Sequence, residues 1–298
     1  MPHRRMREGT RFLSAALLLA GLGGAAPASA AARPWRILTS FYPMYVITLN
    51  VAGDAPGVTV ECLANPSVGC LHDYQLTPGD LIALTQADVF VANGAGMETF
   101  IDKAVRQVPR LKVIEASAGI ELAGDGNPHV WVSVSGAIAE TRNIARDLAA
   151  ADPGRANVYE KNAADYVATL ERLRSRMHAA LDDLPHREII TFHEAFPYFA
   201  REFRLNIVGV IEREPGSAPS ARELARTISL VKRSGTRAIF AEPQYPAKSA
   251  EIIRRETGVA VSLLDPAVTG DHDPAKARRS YCETMERNVA VLAKALAD

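Results

Sequence analysis

Two lobes, each an α/β unit with a parallel sheet and joined to the other by one long helix, are predicted by three features of this sequence. Short β-branched or apolar runs alternate with segments of helical length before residue 152 and again after residue 184. That order gives parallel sheets covered on both faces. Between the two halves, Tyr159, Ala163, Tyr166, Leu170, Leu173, Met177 and Leu181 recur at spacings of three and four, the stripe of a single amphipathic helix. Asp152 suits its N-cap, Pro153 its first position, and Pro185 stops it. At 1.5 Å per residue the segment 153–184 would extend about 48 Å, enough to bridge two lobes. The expected division is residues 1–30, 31–151, 152–184 and 185–298.

Residues 1–30 read as a signal peptide. Arg4, Arg5, Arg7 and Arg11 precede an apolar run from Phe12 to Leu22 that is too short to span a bilayer, and Ala28-Ser29-Ala30 is a small-residue cleavage site. Because no cysteine follows that run to carry a lipid, the expectation is an exported, soluble, periplasmic protein beginning near Ala31.

In the first lobe the strand candidates are 35–40 (WRILTS), 58–63 (VTVECL), 88–92 (DVFVA) and 111–115 (LKVIE), with Thr77 to Ala87 as an intervening helix that starts at Pro78. The second lobe offers 188–192 (EIITF), 206–211 (NIVGVI), 237–241 (RAIFA) and 259–264 (VAVSLL). Its helices are expected at 195–203, 220–234 and 247–257, and a last one runs from Asp273 to the C-terminus. Pro219 and Gly235 bracket the second of these, and Gly258 closes the third.

The chain carries 34 basic and 34 acidic side chains; loss of residues 1–30 removes four Arg and one Glu and leaves 30 against 33. Nothing in that balance points to nucleic acid. Of three cysteines, Cys62 and Cys70 lie eight apart and are expected to pair as a disulfide in an exported protein, leaving Cys282 alone.

In open α/β sheets ligands gather beyond the carboxyl ends of the strands. His72 follows the second strand, His129 lies in the long loop after the fourth, His193 comes directly after EIITF, and Asp265 directly after VAVSLL. Three imidazoles and a carboxylate converging between lobes would make a four-coordinate site for a first-row metal. His178 and His186 on the bridging helix and its exit, and His272 in a polar turn, read as ordinary surface residues. Enzyme signatures are lacking. HEAFP at 193–197 has Pro197 where a zinc-protease helix needs its second histidine, there is no GxSxG or Walker loop, and the GxG at Gly94 and Gly96 lacks a third glycine.

The strings HDYQLTPGD (72–80), ADVFVANGAGME (87–98), NPHVW (127–131), FHEAFPYFA (192–200), AEPQ (241–244) and GVAVSLLDP (258–266) resemble, in order and over nearly all of residues 35–297, the cluster A-I substrate-binding proteins of zinc and manganese ABC transporters. The resemblance implies two (β/α)4 lobes bridged by one rigid helix, a metal in the cleft, and ligands at His72, His129, His193 and Asp265. It implies capture of zinc, delivery to a membrane permease, and no catalysis. A manganese or iron carrier of the same family, a metal-dependent exported enzyme and an adhesin on the same scaffold are the alternatives. Glu242, in AEPQ, is expected to accept an N–H from a ligating histidine. Two features depart from the family pattern: Glu121 to Asn127 contains no histidine-rich loop, and the Cys62 to Cys70 segment is additional. A third histidine at 193 favours zinc, because neutral imidazoles suit it better than they suit hard manganese. A monomer is expected.

Overall fold

The computed structural model describes Met1 and residues 33–71, 74–211, 220–243 and 248–297; most of the segment read as a signal peptide, and His72, lie outside the described residues. Eight strands form among the described residues, each at an expected run: β1 (Trp35–Thr39), β2 (Val58–Cys62), β3 (Val89–Ala92), β4 (Lys112–Glu115), β5 (Glu188–Thr191), β6 (Asn206–Val210), β7 (Ala238–Ala241) and β8 (Ala260–Leu263). They build two four-stranded parallel sheets, ordered β2-β1-β3-β4 and β6-β5-β7-β8. The central strands β3 and β7 are buried along their whole length, as apolar strands covered on both faces must be. In each sheet the order of strand addition reverses after the second strand, which puts the switch point, where ligands of such sheets gather, beyond β1 and β3 in one and beyond β5 and β7 in the other.

The helices are α1 (Tyr42–Ala52), α2 (Pro78–Gln86), α3 (Asp102–Arg106), α4 (Val134–Ala151), α5 (Ala156–Leu181), α6 (Pro197–Glu202), α7 (Ala221–Ser234), α8 (Lys248–Thr257) and α9 (Pro274–Leu296). The bridging helix α5 buries the whole predicted stripe from Tyr159 to Leu181. It is shorter than expected. The Asp152 carboxylate takes up Arg155 at 2.7 Å and the Tyr159 hydroxyl at 2.8 Å, which folds Pro153–Arg155 into a 3-10 turn. The α-helix therefore starts at Ala156, and its 26 residues extend about 39 Å.

Side chains alternate across each strand, and the alternation divides the core. Ile37, Val89 and Val91 of the first sheet and Ile189, Ala238 and Phe240 of the second join one cluster with the buried faces of α1, α4, α5 and α9. Leu38, Phe90 and Ala92 point the other way into a cluster of their own, and so do Ile190 and Ile239. The inner faces of both sheets thus share a continuous core, with α5 running through it. No helix among the described residues is long and apolar enough to cross a membrane.

Candidate metal centre

His193 follows β5 and Glu242 follows β7, and because β5 and β7 are hydrogen-bonded neighbours these two residues emerge side by side. The His193 Nδ1 lies 2.7 Å from Glu242 Oε1, with both side chains buried. A carboxylate can only accept, so Nδ1 carries the proton, and in the neutral ring the lone pair is then on Nε2.

Across from this pair stands His129, whose tautomer is set by Asn127. Asn127 Oδ1 accepts the His129 backbone N–H at 3.0 Å, and Asn127 Nδ2 donates to the Glu194 carbonyl at 2.8 Å. Those two partners fix which end of the amide is oxygen. The same oxygen lies 3.1 Å from His129 Nδ1, so that nitrogen is the donor and Nε2 again holds the lone pair. The turn that presents His129 is packed closely. Val130–Val132 form a 3-10 turn, Ser133 caps α4 by accepting the Gly136 N–H at 2.9 Å, and a Cβ at Gly136 would lie 2.0 Å from the Val130 carbonyl. From α6, the Tyr198 hydroxyl donates to the Asn127 carbonyl at 2.6 Å and accepts from Ala123 N–H, which ties the 123–129 loop to the second half of the molecule. The His129 and His193 rings meet edge to face, 4.9 Å between centroids.

The third group in this cluster is Cys70. Its Sγ lies 3.7 Å from His129 Nε2, and the candidate ligand atoms of Cys70, His129 and His193 all fall within 4.8 Å of one another, all three residues being buried. The expected Cys62–Cys70 disulfide is not formed. Cys62 Sγ instead donates to the Ala64 carbonyl at 3.1 Å and sits at the end of β2, while Gly69, at φ 86°, turns the chain so that Cys70 faces the imidazole. Burial pushes the Cys62 thiol up to about 12.

Asp265 occupies the strand-end position expected of it but stands apart from that three-residue group. Its Oδ1 accepts the Ala267 N–H at 2.8 Å, and its backbone is held in two bonds to the Asn288 amide. Burial raises its carboxyl above the ordinary range, against the opposing effects of Ala267 N–H and Arg287. The turn is nonetheless fastened near His129, because Trp131 Nε1 donates to the Pro266 carbonyl at 2.8 Å and the Trp131 ring lies 5.2 Å from that of His129.

Beyond β3, Asn93 Nδ2 donates to the Pro128 carbonyl at 3.0 Å, and the Glu98 carboxyl accepts from Asn93 N–H and Gly94 N–H at 2.8 and 3.0 Å. Burial pushes the Glu98 carboxyl up to about 7, only partly offset by those donors. Its folded value thus exceeds its unfolded one, so the associated stability is complete at low pH and is lost as pH rises through about 7. Metal-free protein should lose on the order of 3 kcal/mol at most from this source between pH 5 and 8. Urea denaturation checks this, and a pH slope unchanged in Glu98→Gln would contradict it.

A family model described as the periplasmic component A of the zinc-uptake complex matches residues 37–295. The chain belongs to this zinc-uptake family. The high-affinity zinc uptake system protein ZnuA of Bacillus subtilis is 29% identical over 280 residues, covering 87% of each chain. The zinc-binding lipoprotein AdcA of Streptococcus pneumoniae is 30% identical over 276 residues, 86% of this chain and 54% of that protein, so the chain spans about half the length of AdcA. Among solved structures, FpvC from Pseudomonas aeruginosa in complex with Mn2+ aligns with a TM-score of 0.81 at 31% identity, over 89% of this chain and 98% of that one.

Set within the zinc-uptake family, the strand-end rule led to His129 and His193, whereas it gave no role to Asn127, Tyr198 or Trp131. Asn127 had a usable signal, since an amide two residues before a candidate ligand can reach its ring. Cys70 was assigned to a different partner because an eight-residue spacing says nothing about which way Sγ points.

Proposed function

We propose that this zinc-uptake family member captures one divalent transition-metal ion, zinc above manganese or iron, in the periplasm and hands it as a monomer to the membrane permease of an ABC transporter. The observation that carries the reading is the buried His129–His193 pair, supplied by elements from both halves, with each Nδ1 facing an oxygen acceptor and candidate ligand atoms of the two rings within 4.8 Å of each other. Preset imidazole donors bind a metal without reorganising, and acceptors behind them raise their basicity. His72 is a further ligand, as its strand-end position and the family motif imply, and Asp265, which the same motifs suggest, would have to release the Ala267 N–H to join the shell. A buried shell composed of protein donors retains the ion rather than activating a bound water, so the chain acts as a carrier. The names of ZnuA and AdcA support zinc as cargo, and the Mn2+ complex of FpvC makes manganese the ion to test against it.

The test is thermal stabilisation by Zn2+ and Mn2+ at matched free concentration. An ion that binds only the native state stabilises it by RT ln(1 + [L]/Kd), so zinc should give the larger shift by at least about 1.4 kcal/mol, a tenfold difference in Kd. In His193→Glu the preference should move toward manganese, since an oxygen donor replaces an imidazole. Equal or larger stabilisation of the wild type by manganese would overturn the zinc assignment.

A further inference from the structure

We propose that Cys70 is a direct thiolate ligand of the captured ion and that this sulfur biases the site toward thiophilic metals and against manganese. The proposal rests on the metal-capture reading above and adds a donor that neither the strand-end rule nor the family resemblance assigns. Two zinc ligands at about 2.3 Å (sulfur) and 2.0–2.1 Å (nitrogen), separated by a tetrahedral angle, lie about 3.5 Å from each other. The Cys70 Sγ to His129 Nε2 distance is 3.7 Å. His193 completes a triangle of candidate donors within 4.8 Å, and in both histidines Nδ1 faces an oxygen acceptor.

Two other features of the fold point the same way. Cys62, the thiol that spacing alone would pair with Cys70, is occupied with the Ala64 carbonyl. The Asp265 carboxylate, the expected oxygen donor, lies outside the triangle and closes its own turn through Ala267. On binding, the Sγ–H bond breaks, its proton passes to solvent, and a metal–sulfur bond forms without any change of oxidation state. A soft thiolate adds affinity for zinc and cobalt and little for manganese, whose preference is for oxygen.

The full chain, kept reduced, is loaded with Co2+ for near-ultraviolet absorption and with Zn2+ for X-ray absorption at the zinc edge. The expected results are a sulfur-to-cobalt charge-transfer band and one sulfur neighbour at about 2.3 Å from zinc. Cys70→Ser should abolish the band and weaken zinc binding about tenfold or more, with little change for manganese, so that the preference between the two narrows by the same factor. Cys62→Ser and Cys282→Ser should keep the band. One-to-one zinc in a shell of nitrogen and oxygen alone would overturn the Cys70 assignment while leaving metal capture standing. A band that survives in Cys70→Ser would overturn it as well, and failure of the wild-type chain to bind any of the three ions would overturn both readings. The wild-type spectra decide the matter even where a cysteine variant does not fold.

Discussion

His193→Ala and His129→Ala should each lower zinc affinity by more than about 100-fold, a larger loss than removal of a residue that merely orients a ligand. The two rings face one another 4.9 Å apart, with Nδ1 of each already engaged by Glu242 or Asn127, so neither can be replaced by a small shift of the other. His193→Ala also leaves Glu242, a fully enclosed carboxylate, without its ring partner, and should cost about 1 to 3 kcal/mol of stability even without metal. His178→Ala, His186→Ala and His272→Ala should bind like the wild type. His178, for instance, lies on α5 and holds Asp182 at 3.0 Å, an arrangement concerned with the helix end. Competition titration with a chelator, after circular dichroism has verified folding, separates the two groups. Comparable losses in both would remove the site.

Trp131→Ala should be the most destabilising single change, at about 3 to 5 kcal/mol. The indole is completely buried, packs edge-on against Phe41 at 5.0 Å, and donates its only N–H to the Pro266 carbonyl. Removing it opens a void in the shared core and frees the turn that carries Asp265. Trp131→Phe, which keeps most of the volume and loses the hydrogen bond, should cost about 1 to 3 kcal/mol. Urea midpoints of metal-free protein with an unchanged m-value would measure both. A loss below about 1 kcal/mol for the alanine variant would mean that Trp131 is not the fastening described.

The β-branched and apolar runs made every strand legible to within a residue or two at each end, most plainly the two wholly buried ones, because a parallel strand covered on both faces has to be apolar throughout, as VFVA at 89–92 and AIFA at 238–241 are. The α5 stripe was legible for the complementary reason, since it alternates between core and solvent at the helical period. α1 carries no such contrast. Ten of its eleven residues are buried, leaving periodicity nothing to detect. In the site, position after a strand led to His193 and, through AEPQ, to the neighbouring Glu242, because adjacency in the sheet follows from strand order. Where side chains point could not be obtained that way. Asp265 sits at the end of β8 as expected, yet its Oδ1 closes onto Ala267, whereas Cys70 turns toward His129 because Gly69 adopts a left-handed conformation.

The continuous core through α1, α4, α5 and α9 bears on how fast a cargo could leave. Moving one sheet away from the other would expose residues such as Val89 and Phe240 together with the α5 stripe, at roughly 25 cal/mol for each Å2 uncovered, so separation of the halves approaches global unfolding in cost. Such events are rare and slow, whereas loops rearrange in nanoseconds to microseconds. Unloading would then run on the clock of the segments beyond the strand ends, the 123–129 loop above all, which among the described residues is held by the Tyr198 hydroxyl, the Asn127 amide and the Asn93 amide.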